Sequence, residues 1–215
     1  MHCQDCAYDM NNKAGDFTIV IPARNEAEKL PELLSTIRSE LPGFQALVVD
    51  DGPTDDTAVI GRKYGAKVIS LPYSLGNGGA VKTGVRSVET TRLVLMDAAG
   101  PHSPKDIPKL IQTLDEGDDM AIAARSRESQ AKCARATANS IYNRLAGWIV
   151  GRSIPDLTSG FRAAGTAKFR ELLYLLPNSF SYPTMITMAY FSAGDSVAYV
   201  PITDRSIAFP RVCLP

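Results

Sequence analysis

The sequence contains no apolar stretch of the roughly 18 to 20 residues that a membrane-spanning helix needs, and its beginning lacks the apolar core of a signal peptide. It has only 4 cysteines in 215 residues, too few and too scattered for a disulfide framework. Cys3 and Cys6 form a C-x-x-C pair without a second pair at zinc-site spacing, and we interpret them as part of a polar terminus. These absences predict a soluble, cytoplasmic protein, and they leave open a peripheral contact with the cytoplasmic face of a membrane.

The sequence also has no excess of charge, because 23 basic residues balance 23 acidic residues. A neutral chain has no overall field that would attract nucleic acid or an anionic membrane. Nucleic acid is therefore not expected as a partner. Any anionic ligand must be bound by a local cluster of residues.

Hydrophobic periodicity alternates between strand and helix along most of the sequence. The β-branched run from residue 17 to 22 predicts a buried strand, and apolar residues spaced by three and four from 30 to 41 predict a helix. The other predicted strands are 46–49, 66–70, 92–96, 120–124 and 196–202, and the other predicted helices are 57–64, 79–88, 105–114, 134–150, 168–176 and 184–193. Short connections between alternating elements predict an α/β fold with a mostly parallel twisted sheet flanked by helices, as in Rossmann-like nucleotide-binding domains.

The domain organisation follows from the same pattern. No internal repeat, low-complexity tract or linker divides the sequence. We expect a flexible N-terminal segment at 1–16, one domain at 17–202 and a short C-terminal tail at 203–215.

Three aspartates come directly after predicted strands: Asp50 and Asp51 after one strand and Asp97 after another. A single aspartate at such a position is commonly a turn former or a helix cap. Ligands of parallel α/β sheets bind beyond the carboxyl ends of the strands, so three aspartates at one edge of one sheet predict a binding site there.

A glycine-rich stretch at 75–84 leads into a predicted helix and contains Lys82. Free backbone amides and the positive end of a helix suit a diphosphate, and Lys82 would add a cation one turn into the helix. The stretch lacks the G-K-[ST] order of a P-loop. A flexible loop without a ligand is the alternative interpretation of this stretch alone.

Five segments in this order resemble family 2 glycosyltransferases of the GT-A fold, most closely the branch of dolichol-phosphate mannose synthases. They are VIPARNE at 20–26, VVDDG at 48–52, GNG at 76–78, AVKTG at 80–84 and DLTSGFR at 156–162. The similarity extends from about residue 17 to 202.

The resemblance implies roles for the matching positions. Nucleotide binding would involve Pro22, Ala23, Asn25, Glu26, Asp51, Lys82 and Asp97, and Asp97 would also bind a metal ion. The catalytic group would be Asp156, Arg162 and Arg125, and the acceptor would contact Ser159, Arg135 and Asn139. Apolar residues near Asp156, namely Trp148, Ile149, Val150 and Ile154, could face lipid or could be ordinary core.

The sequence departs from the family at the metal motif. Where the family has Asp-x-Asp followed by glutamine, this chain has Asp97, Ala99 and Pro101. Mg²⁺ or Mn²⁺ can bind through one or two carboxylates and the substrate phosphates, so the expected cofactor is a divalent ion at a weakened site. His102 could assist the metal or could be a structural histidine. The basic loop after the last strand of the family is also altered, with only Arg205 and Arg211 as stand-ins.

The resemblance implies an inverting enzyme that moves mannose or glucose from a nucleotide sugar, GDP-mannose or UDP-glucose, to a polyprenyl (dolichyl) phosphate. Two alternatives remain open at the level of sequence. Ala99 and Pro101 fit an impaired homologue that binds a nucleotide sugar or a partner subunit without turnover. An active transferase with a soluble acceptor would have the same motifs.

Overall fold

The computed structural model describes residues 15–52, 54–100, 102–124, 151 and 154–202. Most of the predicted N-terminal segment, the predicted helix 134–150 and the predicted tail 203–215 lie outside the described residues.

The described strands form one seven-stranded sheet in the order β3-β2-β1-β4-β6-β5-β7. The strands are β1 Phe17–Ala23, β2 Gln45–Asp50, β3 Lys67–Ser70, β4 Arg92–Leu95, β5 Met120–Ala124, β6 Arg162–Gly165 and β7 Val197–Pro201. β1 is fully buried and pairs in parallel with β2 on one side and β4 on the other. The predicted α/β fold with a mostly parallel sheet is confirmed.

β6 is the one described strand that runs against the others, between β4 and β5. The sequence pattern did not predict it. It has four residues, Arg-Ala-Ala-Gly, and so lacks the β-branched and aromatic residues that mark the other central strands. Its position in the middle of the sheet, not its composition, makes it a strand.

The described helices lie on both faces of the sheet and begin and end within about two residues of the predicted positions, except that the helix predicted at 168–176 ends at Glu171. They are α1 Leu30–Glu40, α2 Thr57–Lys63, α3 Asn77–Ser87, α4 Ile107–Asp115, α5 Thr166–Glu171 and α6 Tyr182–Ala193. Short 3-10 turns, Pro104–Asp106 and Leu173–Leu175, precede α4 and follow α5. The Ser103 hydroxyl caps the first of these turns by accepting from the Lys105 amide at 3.3 Å.

Two apolar layers hold the sheet, one on each face. On one face the alternating residues Ile19, Ile21 and Val48 pack with α1 and α4. On the other face Val20 and Val49 pack with α3, α5 and α6. This three-layer packing leaves the carboxyl ends of β1, β2 and β4 at one rim of the sheet.

Among the described residues, no helix combines the length and the apolar composition required to cross a bilayer.

Candidate active site

A cavity of about 340 Å³ opens at the carboxyl ends of β1, β2 and β4. Its lining residues are Pro22, Ala23, Arg24, Glu26, Asp51, Gly76, Asn77, Ala80, Asp97, Ala98, Ala99 and Phe180. The list includes five of the seven predicted nucleotide residues, namely Pro22, Ala23, Glu26, Asp51 and Asp97. That these residues bind a nucleotide remains a prediction.

The loop after β1 is bound to the loop after β2 by hydrogen bonds. The Thr54 hydroxyl donates to the Asn25 side-chain carbonyl at 2.7 Å, and the Glu26 amide donates to the Thr57 hydroxyl at 2.9 Å. Asp55 joins them by accepting from the Ala27 amide at 3.2 Å. Asn25 has φ of 56°, a left-handed conformation that asparagine tolerates better than most residues. Asn25, which was predicted to bind the nucleotide, therefore shapes the loop, and its side-chain carbonyl accepts the hydrogen bond from Thr54.

Asp51 connects the same wall of the cavity to the glycine-rich loop. Its carboxylate accepts from the Leu75 amide at 2.6 Å, the Gly76 amide at 2.9 Å and the Ser74 hydroxyl at 2.8 Å. The side chain is 3% exposed. Asp51 thus fixes the loop that forms one side of the cavity, a role that a turn-forming aspartate alone would not have.

The glycine-rich loop has a protein neighbour that the sequence did not indicate. The Gly79 amide donates to the Asn178 carbonyl at 3.3 Å, and a Cβ on Gly78 would clash with the Pro177 carbonyl oxygen. Gly76 has φ of 88°, and a Cβ there would lie 2.5 Å from the Asn178 carbonyl oxygen. These glycines are explained by the close approach of the segment 177–179 to the N-terminus of α3.

Lys82 is oriented toward this neighbouring segment. Its ammonium group donates to the Leu176 carbonyl at 3.1 Å, and Lys82 is not among the described residues that line the cavity. The predicted diphosphate cation therefore stabilises the contact between α3 and the turn that precedes α6.

The opposite wall of the cavity is formed by Asp97 with Ala98 and Ala99. Asp97 lies against the backbone of Gly160, where a Cβ would approach the Asp97 Oδ2 to 2.6 Å. The segment 156–162 therefore lies directly behind Asp97. Only glycine at position 160 leaves room for this carboxylate.

Arg162 is fully buried in that segment. Its guanidinium donates to the Thr187 hydroxyl and to the Pro183 carbonyl of α6, both at 3.1 Å, and to the Ser159 carbonyl. Burial lowers the pKa of Arg162, and the nearby negative charges of Asp156 and Asp97 partly offset that effect. The structure thus places this predicted catalytic residue beneath the site, where it supports the segment 156–162.

Asp156 and Ser159 are also buried, each with 2% exposure. The Asp156 carboxylate accepts from the amide and the hydroxyl of Thr158, both at 3.2 Å, which closes a tight turn. Neither residue lines the cavity, and both stand next to Arg162. Arg125, Arg135 and Asn139, the remaining predicted catalytic and acceptor residues, lie outside the described residues.

Three further residues considered at the sequence level are buried and do not line the cavity. His102 is buried and packs against Phe161 with ring centroids 5.2 Å apart and ring planes tilted by 30°, as expected for a structural histidine. Ile154 is 6% exposed and packs in the core, the second of its two sequence interpretations, and Trp148, Ile149 and Val150 lie outside the described residues. Asp50, the third strand-end aspartate, is fully buried away from the cavity, and neither carboxylate oxygen bonds a described residue.

Two lining residues were missed at the sequence level. Arg24 follows β1 and is exposed at the cavity. Phe180 is 80% exposed and reaches the cavity from the turn before α6. Arg24 lay within a recognised motif and could have been selected as the basic residue nearest a strand end, whereas nothing local to Phe180 indicated its position.

Comparison with known proteins gives a family for this architecture. The description Glycosyl transferase family 2 matches residues 18–173, which include every element from β1 to α5. The chain belongs to glycosyl transferase family 2. The family predicted from the sequence motifs is thereby confirmed.

Two relatives illustrate how far the similarity extends. An uncharacterized glycosyltransferase of Mycobacterium tuberculosis is 42% identical over 113 residues, which cover 52% of this chain and 50% of that protein. The polyprenol monophosphomannose synthase of Mycolicibacterium smegmatis is 28% identical over 201 residues, covering 86% of this chain and 76% of the synthase. The match thus spans about half the length of the first relative, and the resemblance to polyprenyl-phosphate sugar synthases is confirmed.

Solved structures of glucosyl-3-phosphoglycerate synthase from Mycobacterium tuberculosis share the fold. One, in complex with phosphoglyceric acid, has a TM-score of 0.76 at 21% identity and covers 98% of this chain and 80% of its own. Another holds Mn²⁺, UDP and glucosyl-3-phosphoglycerate, with a TM-score of 0.69 at 23% identity and coverage of 93% and 76%. At these identities the likeness establishes the α/β glycosyltransferase fold.

Proposed function

We propose that this chain transfers a hexose, mannose or glucose, from a nucleoside diphosphate sugar to a polyprenyl phosphate. The observation that carries the proposal is the cavity at the carboxyl ends of β1, β2 and β4, lined by strand-end groups of a family 2 domain. The acceptor class is supported by the name of the polyprenol monophosphomannose synthase, which aligns with 86% of this chain.

The nucleotide would lie against the wall formed by Pro22, Ala23 and Asp51. The loops there are joined by the hydrogen bond between Thr54 and Asn25, and the Asp51 carboxylate is fixed by three donors. A preorganised wall costs little ordering entropy when a ligand binds. Asp97 would stand near the sugar and the diphosphate on the opposite wall.

In the proposed reaction an oxygen of the acceptor phosphate forms a bond to the anomeric carbon, and the bond from that carbon to the donor diphosphate breaks. The nucleoside diphosphate leaves with the electron pair, so direct displacement inverts the configuration. The acceptor is already an anion because the second pKa of a phosphate monoester is near ~6. A strong general base is unnecessary, and we propose that Asp156, Ser159 and Arg162 position the site.

A divalent ion is the cofactor that the fold implies, because a synthase of this fold holds Mn²⁺ and UDP. In this chain the proposed ligand Asp97 is followed by Ala98 and Ala99. Within the part of the chain that the structure describes, no group of three or more His, Cys, Asp or Glu residues could hold a metal ion. The described residues therefore supply no complete metal site of their own, and any divalent ion would need the donor phosphates as ligands beside Asp97. No step of the proposed reaction is assigned to a metal.

A second candidate is transfer to a soluble phosphorylated acceptor. A glucosyl-3-phosphoglycerate synthase with phosphoglyceric acid bound has the same fold over 98% of this chain. A polyprenyl phosphate resides in a bilayer, so only the first candidate requires peripheral contact with the cytoplasmic membrane face.

To test the proposal, the protein is incubated with labelled GDP-mannose or UDP-glucose and with either a polyprenyl phosphate or 3-phosphoglycerate as the acceptor. The lipid products are then separated from the water-soluble products. Labelled lipid supports the proposal, and a labelled soluble product supports the second candidate. Nucleotide binding without either product would mark an impaired homologue and contradict both. Asp51→Ala, which releases the loop that lines the cavity, should reduce transfer, whereas Glu89→Gln, at an exposed position outside the cavity, should leave it unchanged.

A further inference from the structure

Four charged residues line the cavity, and three of them are carboxylates with partners. Asp51 accepts three hydrogen bonds from the segment 74–76. Glu26 forms an ion pair with Lys29 at 3.5 Å. Asp97 lies against Gly160, and its charge acts on the buried Arg162. Two of the three carboxylates are therefore bound by polar groups of the protein, and the third packs against its backbone.

Arg24 is the fourth charged residue, and it differs from the three carboxylates in its positive charge and in its lack of a side-chain partner among the described residues. It is exposed at the cavity, and it makes no ion pair or side-chain hydrogen bond with any residue of the described chain. Lys82, the cation expected for a diphosphate, donates to the Leu176 carbonyl instead. Among the described lining residues, Arg24 is thus the one positive charge available to a ligand.

The positive charge of Arg24 matters because this chain has fewer metal-binding carboxylates than its family. Ala99 stands where the family carries a second aspartate, so Asp97 is the single carboxylate of the motif. A diphosphate leaving group needs positive charge near its oxygens when its bond to the sugar breaks. A guanidinium can supply this charge through two parallel hydrogen bonds to phosphate oxygens.

We propose that Arg24 binds the diphosphate of the donor and supplies positive charge that a divalent ion would otherwise provide, so that nucleotide binding does not require a metal. This inference rests on the proposed function, because it assigns the cavity to a nucleoside diphosphate. It makes Arg24 a residue of the binding site and gives a physical reason why the chain carries Ala99.

The experiment measures the dissociation constants of UDP and GDP by titration calorimetry on the full chain, once with EDTA and once with Mn²⁺. In EDTA the wild-type chain should bind one of the nucleotides, and Mn²⁺ should change its affinity little. Arg24→Ala should weaken binding in EDTA by about 10- to 100-fold, the range expected for losing a hydrogen bond to a charged group. Arg24→Lys should lie between them, because it keeps the charge without the planar fork.

Two further variants separate charge at the site from charge in general. Arg38→Ala removes an exposed arginine from the last turn of α1, away from the cavity, and should leave nucleotide binding unchanged. Ala99→Asp restores a second carboxylate to the cavity. It should make nucleotide affinity rise on addition of Mn²⁺, with Mn²⁺ binding followed by electron paramagnetic resonance.

The outcomes distinguish this inference from the proposed function. Loss of wild-type binding in EDTA, or unchanged affinity in Arg24→Ala, would overturn the role of Arg24 while leaving a metal-dependent transferase. Failure of the wild-type chain to bind either nucleotide under any condition would overturn both. Thermal unfolding checks that each variant is folded, and Arg24→Lys keeps the inference testable should the alanine variant unfold.

Discussion

The two walls of the cavity are built by opposite means. The loop wall, residues 24–27, 51–52, 54–57 and 74–76, is held by many hydrogen bonds between neighbouring loops, two of them at the surface. The buried wall, Asp97 with the segment 156–162 behind it, contains the fully buried guanidinium of Arg162, which joins the segment to α6. Water can replace a bond lost from the surface of the loop wall, but it has no access to Arg162.

The comparison teaches where this fold is sensitive to substitution. A hydrogen bond exposed to water contributes little because the unfolded chain forms equivalent bonds with water. A buried charge has already lost its hydration, so every partner that it keeps is needed. We therefore expect stability to depend most on the buried wall.

The largest effect is expected from Arg162→Met. The variant removes the donor to the Ser159 carbonyl and the link to α6, and it removes the positive charge beside Asp156; the Pro183 carbonyl keeps the Thr187 hydroxyl as a donor. Removing one partner of a buried charge network costs about 3 to 5 kcal/mol, and chemical denaturation would measure this as a lower free energy of unfolding. Arg86→Met, on an exposed residue of α3, should stay within about 0.5 kcal/mol of wild type. Equal losses in the two variants would contradict the comparison.

Asp51→Ala should have the next largest effect. It leaves the amides of Leu75 and Gly76 without their acceptor, at a cost of about 1 to 3 kcal/mol in the free energy of unfolding. The same variant should weaken nucleotide binding because the loop that it releases lines the cavity.

The control for Asp51→Ala is Thr54→Val, also on the loop wall. It removes an exposed bond to Asn25, so it should cost no more than about 0.5 kcal/mol. A loss in Thr54→Val as large as that in Asp51→Ala would show that exposed bonds of this wall matter as much as buried ones.

Most of the fold could be predicted from the sequence, because the core strands are β-branched runs bounded by turn residues. The strand predicted at 17–22 is observed as β1, and the helix predicted at 30–41 is observed as α1. β6 could not be predicted because its four residues carry no strand pattern of their own. It is defined by pairing with β4 and β5, and such distant pairing leaves no local signal.

The candidate site likewise has features that could be predicted from the sequence and features that could not. The strand ends that carry Asp51 and Asp97 could be predicted, because parallel strands bring their carboxyl ends to one rim. The orientation of Lys82 could not, since its acceptor on Leu176 lies 94 residues further along the chain. The burial of Arg162 was equally hidden, because an arginine in a short motif looks the same whether it faces a ligand or the core.

The smallest change in stability is expected for Asp50→Asn, and this variant should be more stable than wild type, whereas the other variants lose stability. Asp50 precedes Asp51 of the loop wall and differs from the other buried charges. Its carboxylate is buried and has no hydrogen-bond donor among the described residues. Burial, together with the negative charges of Asp55 and Asp51, raises the pKa of Asp50 above its ordinary value of 3.8, against a smaller opposing effect of Arg62.

The pH dependence of that variant follows from the direction of the shift. The folded chain holds the Asp50 proton to higher pH than the unfolded chain, so this contribution to stability is present below pH 3.8 and is lost as the pH rises through the folded pKa. Asparagine does not ionise, so the melting temperature of Asp50→Asn relative to wild type should rise with pH across that window and then level off. Thermal unfolding of both proteins from pH 4 to 8 measures this difference, in which the other carboxylates cancel. A difference that stays constant or falls with pH would mean that Asp50 has a polar partner after all, and that both sides of the cavity bury only charges that are paired.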